Sequence, residues 1–280
     1  MPRSRLPMKR RSRGFTMVEL IVSMVITAIL AGFIGLTMTT PIQAYLAQAR
    51  RADLSDSAEA AMRFVAGDVR RALPESLRTG FVNGFAALEM IEVSGAAGYR
   101  TWASGGNSLA IGAPDNTFTA AGAQFAVPAR PLSRLVVRPS STNPNFDPYL
   151  NTAVITPAGQ SVTYNATTRL FTLGSSQTFP TPGSPSQRAY AVVGSTMYVC
   201  NTTAGVLIRY DSLPIQQAMN PVGAGIIVAR DVTACTFRTQ PSADVQGGVA
   251  IVEITVSRAT ASGNTESLRV MRQMRVENRP

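Results

Sequence analysis

Gly14-Phe15-Thr16-Met17-Val18-Glu19 joins a basic segment to an apolar one, and its reading decides how the rest of the chain is organised. Before it stand Arg3, Arg5, Lys9, Arg10, Arg11 and Arg13 with no acid among them, and after it Leu20 through Ala49 contains no charged residue. Leu20 to Met38 alone is 19 residues, about 28 Å as a helix at ~1.5 Å per residue, which matches a bilayer core of ~30 Å. The segment is long and apolar enough to span a membrane, and the cations on its N-terminal side predict a leader in the cytoplasm with the remaining chain outside. Glu19 stands out, because a carboxylate in a spanning helix costs roughly 2.5 to 3.5 kcal/mol on insertion scales and is expected to have a partner and a function. A secretory signal peptide is the bland alternative, with Ala47-Gln48-Ala49 as its cleavage site, but the apolar stretch is about twice the usual ~7 to 15 residues. A plain uncleaved anchor would leave the order of Gly14, Phe15 and Glu19 to chance.

That order resembles the class III signal of type IV prepilins and pseudopilins, in which a short basic leader ends in Gly and the mature chain starts with Phe and carries Glu at its fifth position. Gly14, Phe15 and Glu19 match position by position, and Met17 stands where Leu is commoner. The resemblance implies that a membrane-embedded prepilin peptidase cuts between Gly14 and Phe15 and methylates the new α-amine of Phe15. Cleavage would also supply the partner Glu19 needs. The Phe15 amine is cationic, and in a stack of subunits Glu19 of one chain would neutralise Phe15 of its neighbour and set their axial register.

Composition narrows the function further. Loss of the leader leaves 266 of the 280 residues, with 20 Arg against 16 acids, so the net charge falls from +10 to +4. A balance so modest and so dispersed indicates no specific nucleic-acid binding. The chain has no His, and Lys9 is its only Lys. His-based acid/base catalysis, His metal ligands, a Schiff-base Lys and a P-loop Lys are therefore excluded from the mature protein. No G-x-S-x-G, C-x-x-C or EF-hand loop occurs, and Gly223-Ala224-Gly225 reads as a turn before an Ile226-Ile227-Val228 strand rather than as a dinucleotide loop. No enzyme activity, cofactor or metal is expected.

Past the apolar segment, Pro41 is expected to kink the helix or loosen its hydrogen bonding for a turn. Leu54, Ala58, Ala61, Val65, Val69 and Leu73 then recur at three- and four-residue steps, with Arg50, Arg51, Asp53, Asp56, Glu59, Arg63, Asp68, Arg70 and Arg71 as the polar face and Pro74 as the stop. This amphipathic helix is prepared to lie on a sheet. Beyond it, alternation predicts a C-terminal hairpin of Ala250 to Arg258 with Leu268 to Val276. Further strands are expected at Arg134 to Arg138, at Ser161 to Tyr164 with Leu170 to Leu173, and at Ala189 to Cys200 with Val206 to Tyr210. Residues 94 to 130 and 174 to 188, rich in Gly, Ala, Ser and Pro, read as long irregular connections. Asn165-Ala166-Thr167 and Asn201-Thr202-Thr203 match the glycosylation sequon by chance. Cys200 and Cys235 are the only cysteines; an even pair in an exported domain reads as a disulfide stapling the C-terminal sheet, two buried free thiols being the alternative.

A finer likeness follows from Arg70-Arg71-Ala72-Leu73-Pro74-Glu75-Ser76-Leu77-Arg78, from Tyr198-Val199-Cys200 with Leu207-Ile208-Arg209-Tyr210, and from the tail Gln273-Met274-Arg275-Val276-Glu277-Asn278-Arg279-Pro280. These resemble MshO-type minor pilins of MSHA pilus biogenesis, with residues 80 to 185 matching nothing. The resemblance implies an α+β pilin-like fold, a long hydrophobic and then amphipathic helix packed on an antiparallel sheet. It divides the chain into a cleaved leader (1–14), a transmembrane and filament-core helix (15–40), an amphipathic periplasmic helix (41–73) and a β-rich head (74–280). The implied function is that of a minor pilin held in the bacterial inner membrane by a single pass, its C-terminal domain in the periplasm, and then built into a surface pilus. Its implied partners are prepilin peptidase, the assembly platform, and other pilins or pseudopilins met through the N-terminal helix. A type II secretion pseudopilin and a tip adhesin or DNA-uptake pilin are the alternatives.

Overall fold

One helix dominates the N-terminal third of the chain. The structure, a computed structural model, describes residues 14–277 other than 103–105, 123–124, 126–133, 151, 242–246 and 261–262. The basic leader, residues 1–13, and the tail residues Asn278, Arg279 and Pro280 lie outside the described residues. Helix α1 runs from Met17 to Arg70 with Pro41 inside it. Thr16 caps its start, its Oγ1 accepting the Glu19 backbone N–H at 3.2 Å, and Glu19 lies in the first turn, the Thr-x-x-Glu order of a capping box. The hydroxyls of Ser23, Thr27 and Thr37 donate back to carbonyls one turn earlier, so the polar atoms of this apolar stretch are satisfied within the helix. The chain divides into two compact units at the boundary between Ala52 and Asp53.

Within the second unit, α1 contributes an apolar stripe to a core shared with two sheets. The first sheet contains β1 (Arg78–Val82), β2 (Phe85–Gly98), β7 (Arg188–Asn201), β8 (Val206–Leu213) and β9 (Ile226–Arg230) in that order. Strand β4 (Arg134–Val137) pairs with the first half of β7, along the edge whose second half takes β8. The second sheet is β10 (Val232–Pro241), β11 (Gly248–Ala259) and β12 (Thr265–Arg275). A third holds β3 (Asp115–Thr119), β6 (Leu170–Gln177) and β5 (Val162–Asn165). All named pairings are antiparallel. Together with the long helix they give an α+β fold of the kind expected.

The expected stripe of Leu54, Ala58, Ala61, Val65 and Val69 is buried, joined by Met62, against Leu88, Met90, Tyr198 and Leu207 of the first sheet and Val252, Ile254 and Val256 of the second. Leu73 is buried as well, in a neighbouring cluster beyond the helix end. The C-terminal hairpin forms in the register that alternation predicts, Val252, Ile254 and Val256 inward and Glu253, Thr255 and Ser257 on the other face. The β5–β6 and β7–β8 hairpins also form as expected, and both sequon asparagines spend their side-chain oxygens on capping the turns between them.

Three expectations are corrected. The segments read as irregular hold the end of β2, all of β3 and the end of β6. Their small residues fit close approaches, since a Cβ on Gly95 would meet the Phe125 ring at 2.5 Å, and small residues give no alternating pattern to read. The β1–β2 hairpin escaped notice although Asn83-Gly84, both at positive φ, forms its two-residue turn. Finally, Asp68 is not part of the solvated helix face; it is buried.

Candidate functional site: the start and two faces of the N-terminal helix

Gly14, Phe15 and Thr16 precede the first helical turn. A Cβ on Gly14 would meet nothing within 4 Å, so the fold itself does not require glycine there. Phe15 is exposed, as are Met17, Val18, Leu20 and Ile21. Glu19 is exposed and makes no ion pair among the described residues. From Gly14 to Leu46 every side chain that the structure describes is exposed, including Val25, Ile29, Phe33 and Ile34. This is the one helix among the described residues long and apolar enough to cross a membrane. A monomer in water would leave that surface wet, and the exposure is consistent with membrane anchoring.

The second half of the helix is tied down by polar atoms that a reading of periodicity assigned to solvent. Asp68 Oδ2 accepts from the Tyr198 hydroxyl at 2.5 Å and from Arg209 Nε at 2.7 Å, while Oδ1 accepts from Arg71 Nη2 at 2.9 Å. Arg209 also reaches Asp211 at 2.9 Å. Burial pushes the Asp68 carboxyl up, but the hydrogen bonds from Arg209 and Tyr198 and the Arg209 charge outweigh it and hold the group below its ordinary value. The same carboxylate, with burial, pushes the Tyr198 phenol far up, so it stays a donor. No spacing signal marks Asp68 as buried, because its i,i+3 pairing with Arg71 is equally at home on a solvated face and the partners that meet it from the sheet, Tyr198 and Arg209, are more than a hundred residues away in sequence. The nearest hint was Arg209, a charge within the β8 pattern two residues before Asp211.

A second buried carboxylate serves the sheet alone. Glu89, on β2, accepts from Arg78 Nε at 2.9 Å and Nη2 at 2.5 Å, and from the Ser195 hydroxyl at 2.7 Å. Burial raises its pKa above the ordinary value despite Ser195 and Arg78. Cys200 on β7 and Cys235 on β10 form a disulfide, with Cα atoms 6.2 Å apart. The bond therefore ties β7 of the first sheet to β10 of the second. Among the described residues no three side chains of metal-ligating type come together.

Residues 9–35 match the family model of the prokaryotic N-terminal methylation motif. The chain carries a type IV pilin-like class III signal. That motif marks a type IV pilin-like or pseudopilin-like protein, and it implies processing by prepilin peptidase and assembly with other pilins. The match spans Gly14, Phe15 and Glu19 together with the apolar run that the structure leaves exposed, and both are consistent with membrane anchoring. Comparison with curated proteins and with solved structures gives no match.

Proposed function

We propose that this protein is a minor pilin, a structural and assembly subunit of an MSHA-like type IV pilus, and not an enzyme. The single observation carrying the reading is the apolar half of α1, which begins inside the methylation motif and whose described side chains are exposed from Met17 to Leu46. In the proposed cycle the subunit waits in the bacterial inner membrane with residues 15–40 among lipids and its β-rich head in the periplasm. Prepilin peptidase removes residues 1–14 and methylates Phe15. Assembly then exchanges lipid for neighbouring helices. Burial of the helix flank holds subunits together without direction, while the Glu19 carboxylate and the Phe15 amine give the contact a fixed axial step. A mature chain of 266 out of 280 residues is bulky for a repeated shaft subunit, which favours a place at the tip or in initiation.

Intact mass after co-expression with a prepilin peptidase tests the first step. The wild type should lose residues 1–14 and gain a methyl group, whereas Gly14→Leu should keep its full mass. Glu19→Ala tests the second, because the cap at the helix start uses the backbone N–H of Glu19 and survives the change. This variant should be cleaved normally yet recovered in sheared fibres at a tenth or less of the wild-type amount, and equal recovery would reject the register role. Loss of enzyme secretion with intact fibres in a deletion strain would transfer the protein to a type II secretion system.

A further inference from the structure

A cavity of about 290 Å³ opens beside the start of β1, walled by Glu75, Arg78, Ser141, Asp147, Tyr149 and Gln240. Its charges do not cancel internally. The guanidinium of Arg78 is committed elsewhere: it pairs with Glu89, donates to the carbonyls of Gln216 and Gln217 at 2.8 Å each, and lies 3.6 Å above the centre of the Tyr149 ring. That leaves the carboxylates of Glu75 and Asp147, neither of which forms an ion pair among the described residues. Asp147 Oδ1 accepts only the Tyr149 backbone N–H, at 2.8 Å.

Glu75 is the informative residue. It is only 7% exposed and sits at φ 63, a left-handed conformation that a non-glycine residue adopts at a cost. Its Oε2 accepts from the Ser141 hydroxyl at 2.6 Å, and its Oε1 is buried with no hydrogen-bond partner among the described residues. A buried carboxylate satisfied on one side only is costly unless a donor completes it. The side chain is nevertheless held in place, by Ser141 on one side and by the turn that leads from α1 to β1 on the other. Such a wall is built to receive a donor that carries positive charge.

The lining and the space define the kind of cation. No three metal-ligating side chains converge among the described residues, and the space exceeds what a bare ion fills while meeting the lower end of organic ligand sites. We propose that this cavity is a receptor for an organic cation of the guanidinium or ammonium class, such as the end of an arginine or lysine side chain, with Glu75 and Asp147 as its counter-charges. Its source is either a partner protein's basic side chain or a free polyamine. The proposal stands independently of the pilin reading, which rests on residues 14–46.

The experiment is calorimetric titration of the full-length protein in neutral detergent micelles. The probes are N-acetyl-arginine amide, its uncharged citrulline counterpart, an acetylated Gly-Arg-Gly peptide amide, 1,4-diaminobutane and calcium chloride. Saturable binding of the arginine probe without binding of citrulline is expected, weakened about tenfold or more by Glu75→Gln and several-fold by Asp147→Asn. Circular dichroism reports whether Glu75→Gln still folds, and Asp147→Asn, on a partly exposed side chain, decides the matter if it does not. Tighter binding of the peptide assigns the site to a partner's side chain, and tighter binding of diaminobutane assigns it to a free polyamine. Equal response to arginine and citrulline, binding of calcium alone, no saturable heat, or indifference to both substitutions in folded protein would overturn the proposal.

Discussion

Val25 and Val65 are the same residue in the same helix, yet the first is 52% exposed and the second fully buried. The residues around them sharpen the contrast. Val25 has Ile21, Met24, Ile29 and Phe33 for neighbours along an all-apolar surface, whereas Val65 belongs to a stripe interrupted by Arg63, Asp68 and Arg70. A helix that is apolar on every side has more greasy surface than one chain can cover, and a helix with one greasy side has the amount that a sheet can take. The described side chains of the first half stay exposed as far as Leu46, whereas the second half gives its stripe to its own domain. Phe64, large and exposed beside Val65, marks how abruptly the buried stripe ends.

The largest effect that would break this contrast comes from placing the same charge in both halves. Val65→Asp buries an unpaired carboxylate and should cost about 4 kcal/mol or more, enough to unfold the head in a urea titration. Val25→Asp should leave the head's urea midpoint within error and instead release the protein from the membrane fraction. Equal loss of head stability in the two variants would erase the distinction. Next comes the disulfide: Cys200→Ser with Cys235→Ser should destabilise the head by roughly 2 to 4 kcal/mol, because the cross-link closes a loop of 35 residues between two sheets. Membrane partition, read by flotation, should not change.

The smallest expected effect separates two of the buried carboxylates, Asp68 and Glu89, by pH. Asp68 is held below its ordinary value of 3.8, so its contribution is complete above that value and is lost as the pH falls through the lower, folded one. Glu89 is raised above its ordinary 4.5, so its ionised form weighs against the fold near neutrality, and the weight lifts as the pH falls through its folded value towards 4.5. Urea midpoints taken from pH 7 to pH 3 should show Asp68→Asn flattening the acid-side loss and Glu89→Gln flattening the gain above it. A parallel shift of both curves would mean that the two groups are not opposed. At neutral pH, Asp68→Ala should also cost about 3 kcal/mol, since Tyr198 would be left without its acceptor and Arg209 with Asp211 alone.

Much of the fold was legible because its signals are local. The spanning length of residues 20 to 38, the stripe from Leu54 to Val69 and the alternation of Val252, Ile254 and Val256 each need only a short window of chain. The hairpin turn at Asn83-Gly84 is equally local, a two-residue signal between short strands. What was not legible depends on partners distant along the chain. Asp68 looked like one more charge on a solvated face until Tyr198 and Arg209 came to meet it. Glu75, an ordinary acid after a proline, gained its half-satisfied burial only when the loop carrying Ser141 folded over it. Thr16 was readable as a cap from its spacing to Glu19 and was overlooked beside the more conspicuous motif.

The sequence alone determined that residues 20 to 38 form a run too apolar for water, entered through the methylation motif, and that two cysteines follow in a β-rich region. Those facts are sums over neighbouring residues, and hydrophobic transfer and helix pitch act on neighbours whatever the distant chain does. Only the tertiary structure decided that the cysteines join separate sheets, that Asp68 and Glu89 are buried with opposite shifts, and that Glu75 closes a cavity. A buried charge is defined by the groups that surround it, and backbone pairing alone brings those groups together from positions the sequence leaves far apart.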